Sequence, residues 1–206
     1  MICILLVTID GRLDDQAARG GMPMPSFVIF LCISASITAL SWRSLASPRS
    51  HGFWRFFAFE LLAGLILLNA PVWFARPLSS VQLASWSFGA VSIALAIEGF
   101  RLLRVVGKPS PTAGSATDIG IERTTRMVTT GAYRYIRHPL YSSLIALILC
   151  AFLKRPSALA SIALALGGVG FLFATAICEE QENIERFGAS YLAYMKQTRR
   201  FIPFLF

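Results

Sequence analysis

Charged residues are scarce in this sequence. Asp, Glu, Lys and Arg make up 15% of the 206 residues, whereas apolar and aromatic residues make up 55%. An ordinary soluble domain has about 25% charged residues. The apolar residues also cluster into runs close to the roughly 20 residues that a helix needs to cross a bilayer. The composition therefore excludes an ordinary soluble domain and predicts an integral membrane protein.

Cysteine and histidine are too few and too scattered for a disulfide framework or a metal centre. The cysteines lie far apart and form no CxxC pair, so we interpret them as small apolar residues. The two histidines, His51 and His138, lack the HExxH spacing of a zinc site. We therefore expect no bound metal. The cysteines are Cys3, Cys32, Cys150 and Cys178.

The chain also lacks the glycine-rich GxGxxG turn between a strand and a helix, which excludes a Rossmann-type nucleotide site. The net charge of +8 would suit a nucleic acid. Lys and Arg lie mainly between the apolar runs, however, where orientation in a membrane explains them better. We therefore expect no nucleic-acid partner.

Five apolar runs predict an all-α polytopic fold with about five transmembrane helices. They cover residues 25–42, 53–74, 81–100, 140–153 and 158–178. The fourth run is short for an independent span, and a polar turn leads from it into the fifth, so these two predict a helical hairpin. Residues 179–197 place apolar side chains at helical spacing and predict a carboxy-terminal amphipathic helix along the membrane surface. Those side chains are Ile184, Phe187, Tyr191 and Tyr194.

The spans divide the chain into three regions. Residues 1–24 form a leader without a convincing signal peptide, and translation could begin at Met22 or Met24. Residues 25–100 hold three amino-terminal transmembrane helices. Residues 101–206 hold a long polar loop, the hairpin and the carboxy-terminal helix. When the loops and ends are assigned alternately to the two faces of the membrane, 14 of the 19 Lys and Arg residues lie on the same face as the long loop. The loop and the carboxy terminus are therefore expected in the cytoplasm, at the inner cell membrane.

Ionisable groups inside a span are costly, which makes Glu60 and Glu98 candidate functional residues. The alternative for Glu98 is an interfacial pair with Arg101 or Arg104, and for Glu60 a bond to a neighbouring helix. A stronger constellation joins residues 133–141, before and within the fourth run, to Glu179 and Glu180 at the end of the fifth, because a hairpin brings these ends together. Aromatic faces and a carboxylate suit a cationic, purine-bearing cofactor. Ordinary membrane-interface anchoring is the alternative for the same residues.

At these positions the sequence resembles the isoprenylcysteine carboxyl methyltransferases, their bacterial relatives and the phospholipid N-methyltransferases that share their core. The resemblance rests on Val128-Thr-Thr-Gly-Ala-Tyr-Arg-Tyr-Ile-Arg-His-Pro-Leu-Tyr141, on residues 179–194 and on the closing Phe201-Ile-Pro-Phe204. It implies an S-adenosylmethionine-dependent methyltransferase whose cofactor lies between these helices and the cytoplasmic loop. The implied acceptor is a lipophilic small molecule or lipid that enters laterally from the bilayer, so membrane lipids are the expected partners.

The resemblance also implies which residues serve the site. Glu179 would make the acidic contact to the cofactor, Tyr133 would pack on it, and His138 with the following residues would form its floor. Cofactor-binding roles are thus expected for Thr125, Arg126, Met127, Val128, Gly131, Tyr133, His138, Pro139, Leu140, Tyr141 and Glu179. Catalytic roles are predicted for His138 and Glu180, which could receive a proton from an amine acceptor, and for Arg137, which could hold a carboxylate.

One position departs from the family pattern. Members that methylate a prenylcysteine carboxylate carry an arginine one helical turn before the acidic pair, and here Thr175 takes that place. The cofactor is therefore predicted more firmly than the acceptor. A nicotinamide-dependent membrane reductase of a sterol or polyprenoid is the alternative, with Arg123, Arg126, Arg134 and Arg137 as possible phosphate contacts. A non-enzymatic scaffold or small transporter is a third interpretation. No pattern in the sequence indicates an oligomeric state.

Overall fold

The computed structural model describes residues 22–110 and 124–203. Within them it contains α-helices and short 3-10 turns, with two isolated β-bridges and no strand. Residues 1–21, which make up most of the predicted leader, lie outside the described residues. The helices are α1 (Met24–Leu45), α2 (His51–Asn69), α3 (Ser80–Val105), α4 (Pro139–Phe152), α5 (Leu159–Phe187) and α6 (Ala189–Gln197).

Four of these helices are long and apolar enough to cross a membrane. They are α1, α2 extended by the turn Ala70–Val72, α3 and α5, with 22, 22, 26 and 29 residues. Helix α4 has 14 residues, about 21 Å at roughly 1.5 Å per residue, against roughly 30 Å for the hydrocarbon core. The all-helical membrane architecture is confirmed, and the number of long candidate spans in the described chain is four rather than five.

The helices pack in pairs. Helix α2 lies against α5 and α1, and α3 lies against α4. Leu65, Ile148 and Leu172 are the largest apolar side chains with under 2% exposure, and they bring α2, α4 and α5 into one core. Helix α1 buries only Ser44. Its exposed apolar side chains suit contact with lipid.

Cys150 and Ala151, near the end of the short helix α4, are buried, so water cannot bond their carbonyl groups. Neighbouring side chains donate hydrogen bonds to these carbonyls instead. Ser85 of α3 donates its hydroxyl to the carbonyl of Cys150 at 2.7 Å. Asn69 of α2 donates to the carbonyl of Ala151 at 3.0 Å and accepts from Ser161 of α5 at 3.2 Å. An unsatisfied carbonyl at membrane depth is costly. These bonds therefore explain how a helix of this length ends inside the bundle.

The turn after α4 holds a buried lysine. The ammonium of Lys154 lies 3.4 Å from the ring centroid of Trp86 and 5.0 Å from that of Trp73. It also donates to Oε1 of Gln82 at 2.8 Å. Burial lowers the pKa of Lys154, whereas the two indole faces favour its charged form. This cluster fastens the turn to α3.

Helix α5 extends past its predicted end. The sequence places the end of the fifth span at Cys178, but the helix continues without a break to Phe187. Gly188, at φ +58°, ends it and starts α6. Glu179 and Glu180 are therefore held in a continuous rigid helix. The predicted surface helix over 179–197 is instead divided between α5 and α6, and both Tyr191 and Tyr194 are buried in the protein.

Candidate cofactor pocket

A cleft opens where the carboxy-terminal ends of α3 and α5 meet the segment before α4 and helix α6. Its empty volume, open solvent included, is about 690 Å³. It is lined by Leu103, Thr124, Met127, Val128, Tyr133, Arg137, His138, Leu140, Tyr141, Glu179, Asn183, Phe187, Tyr191 and Tyr194.

The floor of the cleft is the start of α4. His138 precedes the helix and Pro139 is its first residue, a position where the missing N–H of proline has no cost. The backbone N–H of His138 donates to the carbonyl of Arg200 at 3.2 Å, and that of Arg137 to Arg199 at 2.7 Å. The carboxy-terminal tail thus fixes the floor in place.

Glu180 is the buried anchor of this region, with a side chain only 3% exposed. It accepts from Nε of Arg137 at 2.7 Å and from Nη2 of Arg200 at 2.6 Å. Its Oε1 also lies 3.3 Å from Nε2 of His138. The bond to Glu180 raises the pKa of Arg200. A buried carboxylate with two guanidinium partners is stabilised as an anion, and so is poorly suited to accept a proton.

Arg137 is also held by the end of α6. Its Nη1 donates to the carbonyl of Met195 at 3.1 Å and to that of Thr198 at 2.6 Å. These carbonyls are among those that a helix leaves without an internal partner. Arg137 therefore connects α6 to Glu180 on α5. Its guanidinium is committed to these three groups, and its catalytic role stays a prediction.

Glu179 directly precedes Glu180 in the chain, but its side chain faces the cleft. Its side chain is 26% exposed, and its Oε2 lies 3.7 Å from Nδ1 of His138. Among the described residues, this ion-pair contact is present but no hydrogen bond to the Glu179 carboxylate is found. Of the two neighbouring carboxylates, Glu179 thus has acceptor capacity left for a ligand.

Tyrosines form much of the cleft wall. Tyr194 donates its hydroxyl to the backbone carbonyl of Tyr133 at 2.6 Å. The ring of His138 stacks on that of Tyr141 at a centroid distance of 5.3 Å and an angle of 16°. Burial raises the pKa of both Tyr191 and Tyr194, so both stay protonated hydrogen-bond donors at neutral pH.

The structure brings together most of the residues predicted for the cofactor. Seven of them line the cleft, namely Met127, Val128, Tyr133, His138, Leu140, Tyr141 and Glu179. Thr125, Arg126, Gly131 and Pro139 lie outside its lining. Backbone N–H groups of Thr125 and Arg126 both donate to the carbonyl of Gly107, which closes the base of the loop. Their predicted backbone contacts to a cofactor therefore have no support from the geometry.

The two span carboxylates have different surroundings. Glu98 accepts from the backbone N–H of Ala132 at 3.1 Å, beside the cleft. Neither predicted arginine partner lies within ion-pair distance of it in the described structure. Glu60 does not line the cleft, and its buried Oε1 has no hydrogen-bond partner among the described residues.

Several lining residues were missed by the sequence reasoning. Asn183 follows Glu179 by four residues on the same face of α5, and this helical spacing predicts its place in the lining. Phe187, Tyr191 and Tyr194 are predicted from the sequence to lie along the membrane surface, whereas the structure places them in the cleft. Leu103 and Thr124 carry no comparable signal in the sequence.

The cleft combines aromatic faces, one carboxylate with free acceptor capacity and no described basic side chain that is free to bind an anion. Such a lining attracts a cation, because ring faces and carboxylates are both electronegative. Arg137 is the arginine among the lining residues, and its donors are bonded to the protein. Phosphate-binding chemistry therefore has little support among the described lining residues.

Comparison with known proteins identifies this part of the chain. Residues 111–186 match the model of the isoprenylcysteine carboxyl methyltransferase (ICMT) family. Comparisons with curated proteins and with solved structures found no match. The matched region contains the segment before α4, the helix α4 and nearly all of α5, and so includes Glu179 and most of the cleft lining. This part of the chain is therefore similar to the isoprenylcysteine carboxyl methyltransferase family.

Proposed function

We propose that this protein is an integral membrane methyltransferase that uses S-adenosylmethionine to methylate a lipophilic acceptor. The observation that carries the proposal is the Glu179 carboxylate, which faces an aromatic cleft with only His138 as a described partner. A carboxylate left in this state suits a cationic ligand. The family match supports the reaction class.

The residues present fit the cofactor. Tyr133 and Tyr141 offer ring faces for a sulfonium or an adenine, and Glu179 offers its carboxylate to the positive groups. Met127 and Val128 add apolar walls. When bound, S-adenosylmethionine would supply an electrophilic methyl group on a positively charged sulfur, and its transfer to a nucleophile would release the demethylated, neutral thioether. Alignment of that nucleophile by the cleft supplies much of the rate enhancement.

His138 is the candidate proton acceptor. Because an ionised Glu180 carboxylate can only accept the hydrogen bond from Nε2 of His138, the neutral ring carries its proton on that nitrogen. Nδ1 is then the basic nitrogen, and it lies on the side of Glu179. An amine acceptor would have to lose a proton before methylation, and Nδ1 is placed to receive it. A carboxylate or thiolate acceptor would need no such transfer.

A lipophilic acceptor is supported by the walls of the cleft. Leu103 of α3 and Leu140 of α4 both line it, so its sides are formed by helices of the membrane region. Thr175 offers no replacement for the missing arginine, because it is fully buried and bonds the carbonyl of Phe171 within its own helix. Recognition of the acceptor by its apolar part therefore has more support than recognition of a carboxylate.

The same observations disfavour the reductase. Arg123 lies outside the described residues. Of the other three arginines suggested as phosphate contacts, only Arg137 lines the cleft, and it bonds Glu180. Arg134 instead lies over the ring of Tyr135.

Binding of S-adenosylmethionine and of its demethylated product to protein in lipid nanodiscs tests the proposal. Isothermal calorimetry of the wild type should give saturable binding in the micromolar range. A second assay should show transfer of a labelled methyl group from S-adenosylmethionine into an organic-solvent extract of the host membranes. The control is an exposed carboxylate on the same helix, Glu185→Gln, which should bind like the wild type.

The outcomes separate the candidates. Absence of binding by S-adenosylmethionine and its product would overturn the proposal, and binding of a nicotinamide dinucleotide would favour the reductase instead. Cofactor binding without label in the extract would leave the cofactor site standing and overturn the lipophilic acceptor.

A further inference from the structure

Glu98 places a carboxylate near the end of an apolar helix, yet it bonds the wall of the cleft. Its Oε1 accepts from the backbone N–H of Ala132 at 3.1 Å. Ala132 belongs to the 3-10 turn Gly131–Arg134, which also carries Tyr133. A carboxylate on a membrane helix is energetically costly unless other groups bond it, and such residues are often functional. The bond to this turn indicates what the role is.

Side chains of α3 lie close to the backbone of the turn. Gly131 has a φ of +59°, a conformation that other residues rarely adopt. A Cβ atom at this position would lie 2.5 Å from Oε1 of Glu98 and 2.6 Å from Cδ1 of Leu102. The positive φ therefore favours glycine at position 131, and a side chain there would displace the ends of the Glu98 and Leu102 side chains.

The turn is held from its other side as well. The Tyr194 hydroxyl donates to the carbonyl of Tyr133 at 2.6 Å. Helix α3 thus bonds Ala132, and α6 bonds the next residue, Tyr133. Between these two bonds the Tyr133 ring is 8% exposed and lines the cleft. The backbone that carries the ring is therefore held by an acceptor from α3 and a donor from α6.

We propose that Glu98 is a positioning residue for the cofactor pocket. Its carboxylate holds the turn 131–134 so that Tyr133 presents its ring to the cofactor. The inference rests on the proposed function, since it assigns Glu98 to the same pocket. Glu98 itself does not line the cleft, so it acts through Tyr133.

Binding of the demethylated cofactor to Glu98→Ala and Glu98→Gln in nanodiscs tests the role. Glu98→Ala should weaken binding about tenfold or more, because the turn loses its acceptor. Glu98→Gln should stay within about threefold of the wild type, because the amide oxygen can accept the same bond. Gly131→Ala should weaken binding as Glu98→Ala does, and Glu185→Ala should not.

Hydrogen–deuterium exchange reports on the bond independently of the ligand. The amide of Ala132 should exchange faster in Glu98→Ala than in the wild type, and Glu98→Gln should restore protection. This readout also applies if binding in Glu98→Ala is too weak to measure.

Each outcome decides a different point. Wild-type binding that is unchanged in Glu98→Ala would overturn the inference and leave the proposed function standing. A Glu98→Gln variant as weak as Glu98→Ala would overturn the role of the acceptor oxygen. Absence of binding in the wild type would overturn the proposed function, and the inference with it.

Discussion

Glu179 and Glu180 are neighbours in the chain, but their carboxylates lie in different surroundings. Glu180 is enclosed by Arg137, Arg200 and His138, whereas Glu179 faces the cleft with a distant contact to His138. Successive residues of a helix point about 100° apart, so adjacent side chains can serve different purposes. We expect Glu180 to stabilise the fold and Glu179 to bind the ligand.

Glu179→Gln should weaken S-adenosylmethionine binding about tenfold or more, because it removes a charge that a cationic ligand would meet. The substitution keeps the shape of the side chain, so the thermal midpoint should change little. Calorimetry and a thermal melt on the same sample measure both. Glu185→Gln is the matched control, and equal affinities in the two variants would contradict the assignment.

Glu180→Gln should lower stability by about 3 kcal/mol, because it leaves two arginines beside a neutral partner in a buried setting. The measurement is the unfolding midpoint in detergent, again compared with Glu185→Gln. An unchanged midpoint with lost methyl transfer would instead support the catalytic role predicted from the sequence.

At the scale of the helices, buried polar side chains end the short α4 inside the bundle. Ser85→Ala should destabilise the protein by about 1–3 kcal/mol, since it leaves the buried carbonyl of Cys150 without its 2.7 Å donor. Ser87→Ala is the control. Its hydroxyl is exposed and bonds Leu83 within α3, so its effect should stay within about 0.5 kcal/mol. Equal thermal midpoints for the two variants would show that the cap contributes nothing.

Glycines on α5 provide a second test of packing. A Cβ at Gly168 would lie 3.1 Å from Cδ1 of Ile148, whereas at Gly170 it would meet nothing within 4 Å. Gly168→Leu should therefore cost at least about 1–3 kcal/mol through overpacking against α4. Gly170→Leu should be tolerated, because that position is exposed. Thermal midpoints in detergent would show the difference, and a larger loss in Gly170→Leu would refute this packing.

The sequence predicted the elements better than their ends. Apolar runs located each helix of the membrane region. The end of α5 was placed at Cys178, because the composition becomes polar there. Helical hydrogen bonding continues to Phe187, since the charged residues that follow are good helix formers, and Gly188 stops it.

At the scale of the whole molecule, the distribution of basic residues predicts the orientation. Fourteen of the 19 Lys and Arg residues lie on the side of the long loop and the carboxy terminus, which the positive-inside rule assigns to the cytoplasm. In a bacterial host, a fluorescent protein fused to the carboxy terminus should fold and emit, and alkaline phosphatase fused there should be inactive. A phosphatase fusion at Leu78, in the turn after α2, should be active. The reverse pattern would refute the orientation.

The sequence by itself determined the apolar membrane character, the helical fold and the segment that resembles a methyltransferase family. The scarcity of charge and the long apolar runs are visible in the composition, and residues 128–141 and 179–194 form recognisable sequence motifs. Neither signal depends on knowing the fold. The direction of each side chain could be decided only by the tertiary structure. Whether Tyr191 meets lipid or a cleft depends on the break between helices at Gly188. Whether Glu98 meets Arg101 or Ala132 depends on how α3 lies against a turn more than thirty residues away. These are contacts between distant segments, and packing selects them after the helices have formed.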